Sequence, residues 1–397
     1  MKLSQQIINP LEVHGPTIEG EVQPLNYKRI ALDMIDSSPL ESLTCSALKT
    51  AYKRKNIDFP VVFERDLIIG QRDFGQVITA LENGSSFVYI LTSLRPGNIT
   101  LAHHVLLTFC SGLQRCYHIP VIVQVCDIEK FYLEELVLED IQKLYHDMVP
   151  QILSCGFDQN ITYIFSNIQN SQFMYPNIIK IQKLISVQEI MDFYSLTIND
   201  IAGFVTHPSY AIAATFASSI PSLATHSQAW RCLCIYFCEK DVHYRLARNI
   251  ACNIGETPPA TLALKIFPGL RSVGTNMLLE TAANSIFMVD TAAVIRKKIN
   301  SCLSGGRETI EEHRKLASAL STYKQVIVAI TAGFVQGAII EKDVAIEMFR
   351  FLCPTSNAFH ALVSKYENGL ILSGEMKKEV IAIIQEIVIS YQRGLQL

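Results

Sequence analysis

The sequence has no surplus of positive charge. Its 397 residues carry 34 Lys plus Arg against 37 Asp plus Glu, a net charge of -3. A grip on nucleic acid must therefore come from a local patch rather than a global field. Cysteine is sparse as well. Eleven in the chain are too few for a disulfide-stapled secreted scaffold. No apolar run reaches the ~20 residues that a membrane span needs. Residues 326–340 (VIVAITAGFVQGAII) come nearest, with Gly333 and Gly337 at GxxxG spacing, but Lys324 and Lys342 bracket them. They read as a buried or partner-facing helix. The opening MKLSQQIINPLEVHG is polar and lacks the apolar core of a signal peptide. Internal repeats, low-complexity tracts and a Walker-type glycine loop are missing. The expectation is a soluble, reduced, cytoplasmic chain with no membrane contact.

What is present is a core-forming composition, 49% hydrophobic and 18% charged. That excludes a disordered or collagen-like chain. At roughly 150 residues per domain the length suits two or three domains. Residues 1–26 hold Pro10, Gly15, Pro16, Gly20 and Pro24 without helical periodicity and read as a leader. Residues 39–54 place Leu40, Leu43, Ala47 and Leu48 on one helical face, with Ser37 or Ser38 as the cap. A short helix spans 73–84, with Asp73 at its start and Gly84 just past its end. Strands are expected at 87–94, 121–127, 162–167 and 232–237, all continuous apolar runs of the buried parallel kind. Helical stretches at 100–117 and 138–155 alternate with them, which predicts an α/β fold with a doubly wound parallel sheet. After Asp290 the remaining segments have helical spacing. The expected organisation is an N-terminal extension with helices packing on the core (1–85), a sheet domain (86–287) and an all-α domain (288–397).

Cys232, Cys234 and Cys238 lie close together, with His226 and His243 nearby. The CxC spacing on a strand sends Cys232 and Cys234 to one face and suits buried packing. Structural zinc favours paired CxxC knuckles, so no metal is expected. Ser-His-Asp or Cys-His catalysis has no local support.

Three segments carry a resemblance: TSLRPGNITLAHHV (92–105), VIVQVCDIEKFY (121–132) and SGGRETIEEHR (304–314). Together they resemble the eukaryotic cytosolic tryptophanyl-tRNA synthetases, which are class I aminoacyl-tRNA synthetases. FERDLIIGQRDFGQV (63–77), FPGLRSVGTNM (267–277), NSIFMVDTAAVIRKKIN (284–300) and SGEMKKEV (373–380) agree in order and spacing. The resemblance implies a Rossmann-type catalytic domain, a helical anticodon-binding domain and a homodimer. It also implies a chemistry: tryptophan is joined to AMP with release of pyrophosphate, then transferred to tRNA. Such enzymes hold ATP with a HIGH-like motif at a helix N-terminus and with a KMSKS-like loop.

The resemblance also locates where this chain departs. The HIGH-like position reads Leu101-Ala102-His103-His104, and only His104 matches. Leu101 cannot donate to phosphate, and His103 stands where a glycine lets the adenine ring approach. The KMSKS-like position reads Asn276-Met277-Leu278-Leu279-Glu280, where Met277 alone remains. In the tryptophan pocket Tyr89, Gln124 and Glu129 match, and packing or pairing in the fold explains them equally. Ala211 stands where a Gln is expected, and Lys240 replaces a Gln that would hold the substrate's ammonium. The Pro96-Gly97 turn and the helix terminus near Thr100, with His104, imply weak residual ATP binding.

The anticodon-domain motif matches densely. Arg307, Glu308 and Thr309 would read bases, while Lys298, Arg314, Lys377 and Lys378 would hold phosphates of a tRNA, tRNA-Trp by the resemblance. A solvated helix face with Glu311 and Lys315 at i,i+4 is the plainer alternative. The chain's last residue, Leu397, comes earlier than the resemblance implies, which would shorten or remove a terminal helix that packs back. The expectation is a homologue that keeps tRNA recognition and has lost tryptophan activation. The alternatives are an active ligase with divergent motifs and a non-catalytic interaction module.

Overall fold

A computed structural model of the chain describes residues 5–18, 20–224, 229–277, 281–306 and 338–395. The leader folds into two small antiparallel hairpins, β1 (Ile7–Ile8) with β2 (Val13–His14) and β3 (Thr17–Ile18) with β4 (Glu21–Val22). Helices α1 (Tyr27–Asp33) and α2 (Ser42–Arg54) follow, then β5 (Ile68–Arg72) and α3 (Phe74–Glu82). The core runs β6 (Phe87–Leu94), α4 (Leu101–Tyr117), β7 (Val121–Val125), α5 (Asp127–Leu133), α6 (Leu138–Leu153) and β8 (Thr162–Ser166). Helices α7 (Ser171–Leu184), α8 (Val187–Tyr194), α9 (Ala202–Ala213) and α10 (Pro221–Ala224) form an excursion. The chain then returns through β9 (Trp230–Phe237), α11 (Asp241–Ala251) and β10 (Ala260–Leu264). Beyond it stand α12 (Ala292–Ser301), α13 (Val344–Leu352), α14 (Ser356–Glu367) and α15 (Ser373–Leu395).

The sheet order is β5-β10-β9-β6-β7-β8, parallel throughout except for β5. Side chains of β6 alternate between its faces. Val88, Ile90 and Leu94 pack with α4, while Tyr89 and Leu91 pack with α7, α9 and α11. Both faces are covered, which is why these strands are apolar without alternation. From β6 the chain moves outward to β7 and β8, then returns to place β9 on the other side of β6. The strand order reverses between β6 and β9. In open α/β sheets the crevice outside the carboxyl ends at such a point is where ligands bind.

Several expectations are corrected. The leader holds hairpins, pinned where the Gly15 N–H donates to the Gly274 carbonyl at 2.8 Å. A side chain at Gly15 would put its Cβ 2.0 Å from the Gln23 carbonyl oxygen, so only glycine fits that approach. Helix α2 starts at Ser42 behind Glu41, not behind Ser37 or Ser38. Ser38 instead exchanges both backbone hydrogen bonds with Gln71 of β5. Strands β5 and β10 were not expected. The terminal helix does pack back: α15 lies on α12, and the Tyr391 hydroxyl donates to the Gln151 carbonyl of α6 at 3.0 Å. Residues 326–337 of the apolar stretch, with Gly333 and Gly337, lie outside the described residues. Among the described residues no helix is long and apolar enough to cross a membrane.

Candidate functional site at the strand switch point

The crevice is lined by the end of β6 (Ser93, Leu94, Arg95), by His103 and Leu106 of α4, and by Phe237, Glu239 and Lys240 after β9. Pro10 of the leader closes its mouth. The Lys240 ammonium donates to the Ser93 carbonyl at 2.6 Å and to the Ser93 hydroxyl at 3.0 Å. This contact stitches β6 to the segment after β9 across the reversal point. The space left is about 10 Å³, room for no more than one water molecule.

The helix N-terminus behind the crevice is also satisfied from within. Thr100 and His103 form a reciprocal cap: the Thr100 N–H donates to His103 Nδ1, and the His103 N–H donates to the Thr100 hydroxyl, both at 3.3 Å. The Leu101 N–H donates to the Ile286 carbonyl at 2.8 Å. Upstream, the Ile99 N–H donates to Gln151 Oε1 at 3.1 Å. A helix terminus binds anions through free N–H groups, and those of Thr100, Leu101 and His103 have protein acceptors. Gly97 keeps a glycine-type backbone (φ 154°) and Pro96 is buried.

His103 and His104 are both engaged in the fold. His103 is buried and His104 is half-buried. His104 Nδ1 lies 3.6 Å from Cys155 Sγ, and its ring meets the Tyr391 ring edge-on. The one retained HIGH-like residue thus ties α4 to the C-terminal helix. Burial pushes the His104 imidazole down to about 4, and burial with Lys240, Arg95 and Lys130 pushes His103 down to about 3. Both are neutral in the fold and titrate near 6.5 when unfolded. Their contribution to stability is complete above pH 6.5 and is lost as pH falls toward 4. Denaturation midpoints should fall steeply across that window. His103→Gln/His104→Gln should flatten the decline, as equilibrium urea titrations from pH 7 to 4 would measure.

The tryptophan-pocket matches are engaged in the fold. The Tyr89 hydroxyl donates to the Thr215 carbonyl at 2.8 Å. Gln124 Nε2 donates to Asn167 Oδ1 at 2.9 Å and to the Tyr210 carbonyl at 3.2 Å. Glu129 lies 3.7 Å from Arg95 and 3.8 Å from His207. Burial works to raise the Glu129 carboxyl, but Arg95, His207 and Lys240 outweigh it and hold it below the usual range. Ala211 is buried beside them. At the KMSKS-like position Asn276 is buried, its carbonyl accepting from Asn284 Nδ2 at 2.8 Å, and Met277 is fully buried. Leu278, Leu279 and Glu280 lie outside the described residues.

The expected phosphate contacts divide. Lys298 pairs with Asp290 at 2.6 Å and sits over the Phe287 ring. Lys377 is a correction: it is buried, and its ammonium donates to the Cys302 carbonyl at 2.8 Å and the Asn300 carbonyl at 3.3 Å. It closes the carbonyl end of α12, where cations are favoured, and is not free for phosphate. Lys377→Ala should lower stability by about 1.5–3 kcal/mol and leave tRNA affinity unchanged, which urea denaturation beside a binding titration would separate. Lys378 is exposed. Arg307, Glu308, Thr309 and Arg314 lie outside the described residues.

Sequence reasoning missed three buried polar groups. Glu239 has no hydrogen-bond partner among the described residues, and burial pushes it up to about 7. Arg72 and Asp241 form a buried pair at 2.7 and 3.0 Å that the Tyr236 hydroxyl joins. Asp343 accepts from the Ser304 hydroxyl, the Gly305 and Ile346 N–H groups and the Tyr366 hydroxyl. It anchors the SGG of the anticodon-domain motif. No local spacing signals the Gly305 and Arg72 partners, which lie 38 and 169 residues away in sequence. Cys232 and Cys234 share a buried face, their sulfurs 3.5 Å apart, and among the described residues no cluster of His, Cys, Asp or Glu could hold a metal.

No protein-family model matches the chain. Its sequence is similar to a cytoplasmic tryptophan-tRNA ligase of Oryctolagus cuniculus, 31% identical over 98% of this chain and 77% of the relative. It is likewise similar to a tryptophan-tRNA ligase of Encephalitozoon cuniculi, 30% identical over 99% and 95% of the two chains. The fold is similar to the crystal structure of Plasmodium falciparum tryptophanyl-tRNA synthetase, with a TM-score of 0.77 and 26% identity over 94% of each chain.

Proposed function

This chain belongs to the tryptophan-tRNA ligase family, and from that membership we propose that it has kept the scaffold and lost tryptophan activation. Its partner is then tRNA, tRNA-Trp by relationship, and its place is the cytoplasm named for several relatives. One observation carries the loss of activation: Lys240 joins Ser93 across the switch point and leaves about 10 Å³. Adenylation needs the triphosphate beside donors that stabilise its developing charge. Here three N–H groups of the α4 terminus are taken by Ile286, Thr100 and His103, and Asn276 is a neutral residue where the family's loop carries a lysine. On this reading the weak residual ATP binding expected at Pro96, Gly97 and His104 falls below what millimolar ATP would reveal. Tryptophan-dependent exchange of pyrophosphate into ATP tests the proposal.

A homodimer is also part of this proposal. Strand β8 is an edge of the sheet. Around it Tyr163, Phe173, Tyr175 and Ile179 leave large apolar surfaces exposed, as interaction faces do. Sedimentation equilibrium checks this, and Tyr175→Asp/Ile179→Asp should shift the protein toward monomer.

A further inference from the structure

A second cavity, of about 520 Å³, lies between the leader, α1 and the start of α11. Its size suits a small organic ligand. The segment after β9 divides between the two spaces. Lys240 lines the crevice, Cys238 and Asp241 line this cavity, and Glu239 lines both. Ile30 and Met34 of α1 and Phe193 of α8 give the cavity an apolar wall. Its charged groups are engaged, with one exception. Asp33 pairs with Arg29 at 3.6 Å, and Asp241 pairs with Arg72 at 2.7 Å. The Arg245 guanidinium lies over the Phe193 ring and donates to the Asp33 carbonyl at 3.4 Å. Glu239 is the exception. It is 3% exposed, and neither carboxyl oxygen has a hydrogen-bond partner among the described residues. A carboxyl taken out of water without a donor is costly and calls for a partner.

We infer that this cavity takes a small organic monocation, a primary ammonium on a short aliphatic body. The Glu239 carboxyl turns into the cavity to meet the ammonium, and the body lies against Ile30, Met34 and Phe193. An ammonium brings three donors and a full positive charge, which two unpartnered carboxyl oxygens lack. An anion would meet Glu239 with like charge. A metal ion fits less well. Among the described residues no group of His, Cys, Asp or Glu could hold one, and Asp241 already accepts from Arg72 and Tyr236. The apolar wall asks for a hydrocarbon body behind the charge. Binding here needs neither ATP nor tRNA, so the inference stands apart from the proposed loss of activation.

The test is isothermal titration calorimetry of the full chain at about pH 8, above the value near 7 to which burial pushes Glu239. Isopentylammonium chloride is the probe, run beside isopentyl alcohol and leucine. The amine should saturate one site in the millimolar range or below. The alcohol should bind about tenfold or more weakly, and Glu239→Gln should weaken the amine by a similar factor. Val242→Trp fills the cavity from a half-buried position on α11 that does not line the crevice, and it should abolish binding. Circular dichroism should show both variants folded. Equal affinity for the alcohol, or in Glu239→Gln, would overturn the ammonium contact. Binding that survives Val242→Trp would overturn the cavity and move the amine to the crevice. Tighter binding of leucine would overturn the monocation in favour of a zwitterion. No saturable binding of the amine would overturn the inference outright, and pyrophosphate exchange would be untouched by any of these results.

Discussion

Tryptophan-dependent ATP–pyrophosphate exchange is expected to run at least about 10³-fold slower than for an active tryptophan-tRNA ligase assayed beside it. Removing a single preorganised donor from a site that stabilises developing charge typically slows the reaction by about 10²–10³. On the proposed reading more than one such donor is missing here. Asn276 cannot supply the positive charge of a lysine, Leu101 cannot donate at all, and the α4 terminus turns its N–H groups to Ile286 and Thr100. The crevice itself is lined by His103 and crossed by Lys240. A rate within tenfold of the active enzyme, a difference of about 1.4 kcal/mol, would contradict the proposed loss.

The second large effect concerns stability. Asp241→Ala should destabilise the fold by about 3–5 kcal/mol, because it leaves the Arg72 guanidinium buried without its counter-charge. Asp241 accepts two hydrogen bonds from Arg72 and one from Tyr236. Arg72 also donates to the Ile35 carbonyl, so the pair ties the edge strand β5 to the segment before α11. Replacing both partners, as in Arg72→Met/Asp241→Leu, should recover much of the loss. Urea denaturation of the three proteins measures it. A single variant within about 1 kcal/mol of wild type would mean the charge is not buried in solution.

The core strands were legible because each is a continuous apolar run between helical spacings. Strands β6, β7, β8 and β9 fall where those runs predict. Strand β5, with Gly70, Gln71 and Arg72, offered no such run. It is a strand because its partner β10 and the buried Asp241 hold it. β10 is short and lies beside a proline pair, Pro258 and Pro259, which reads as loop. The helices after Asp290 were legible from their period. α15 was not foreseen to pack back, because the tie of Tyr391 to Gln151 spans 240 residues.

At the site, the altered positions were visible in sequence, and their new partners were not. Lys240 stood out as a cation replacing a neutral residue, with nothing to show that Ser93 would accept from it. Lys377 reads as a surface lysine beside Lys378, yet adjacent helical residues point about 100° apart, and only one of the two reaches the carbonyls ending α12. His103 signalled bulk where glycine is usual. Its service as a cap for Thr100 depends on the N3 position, which only the helix start at Leu101 defines.

Under the proposed loss of activation, this chain's own side chains take up the switch-point crevice that ATP would need. Isothermal titration calorimetry of the full chain with magnesium ATP addresses it directly, run beside Lys240→Gln/His103→Gly, which unstitches and empties the crevice. No saturable heat up to millimolar ATP for the wild type, with or without tryptophan, is the predicted result. One-site binding by the wild type at tens of micromolar, unaltered in the double variant, would contradict it.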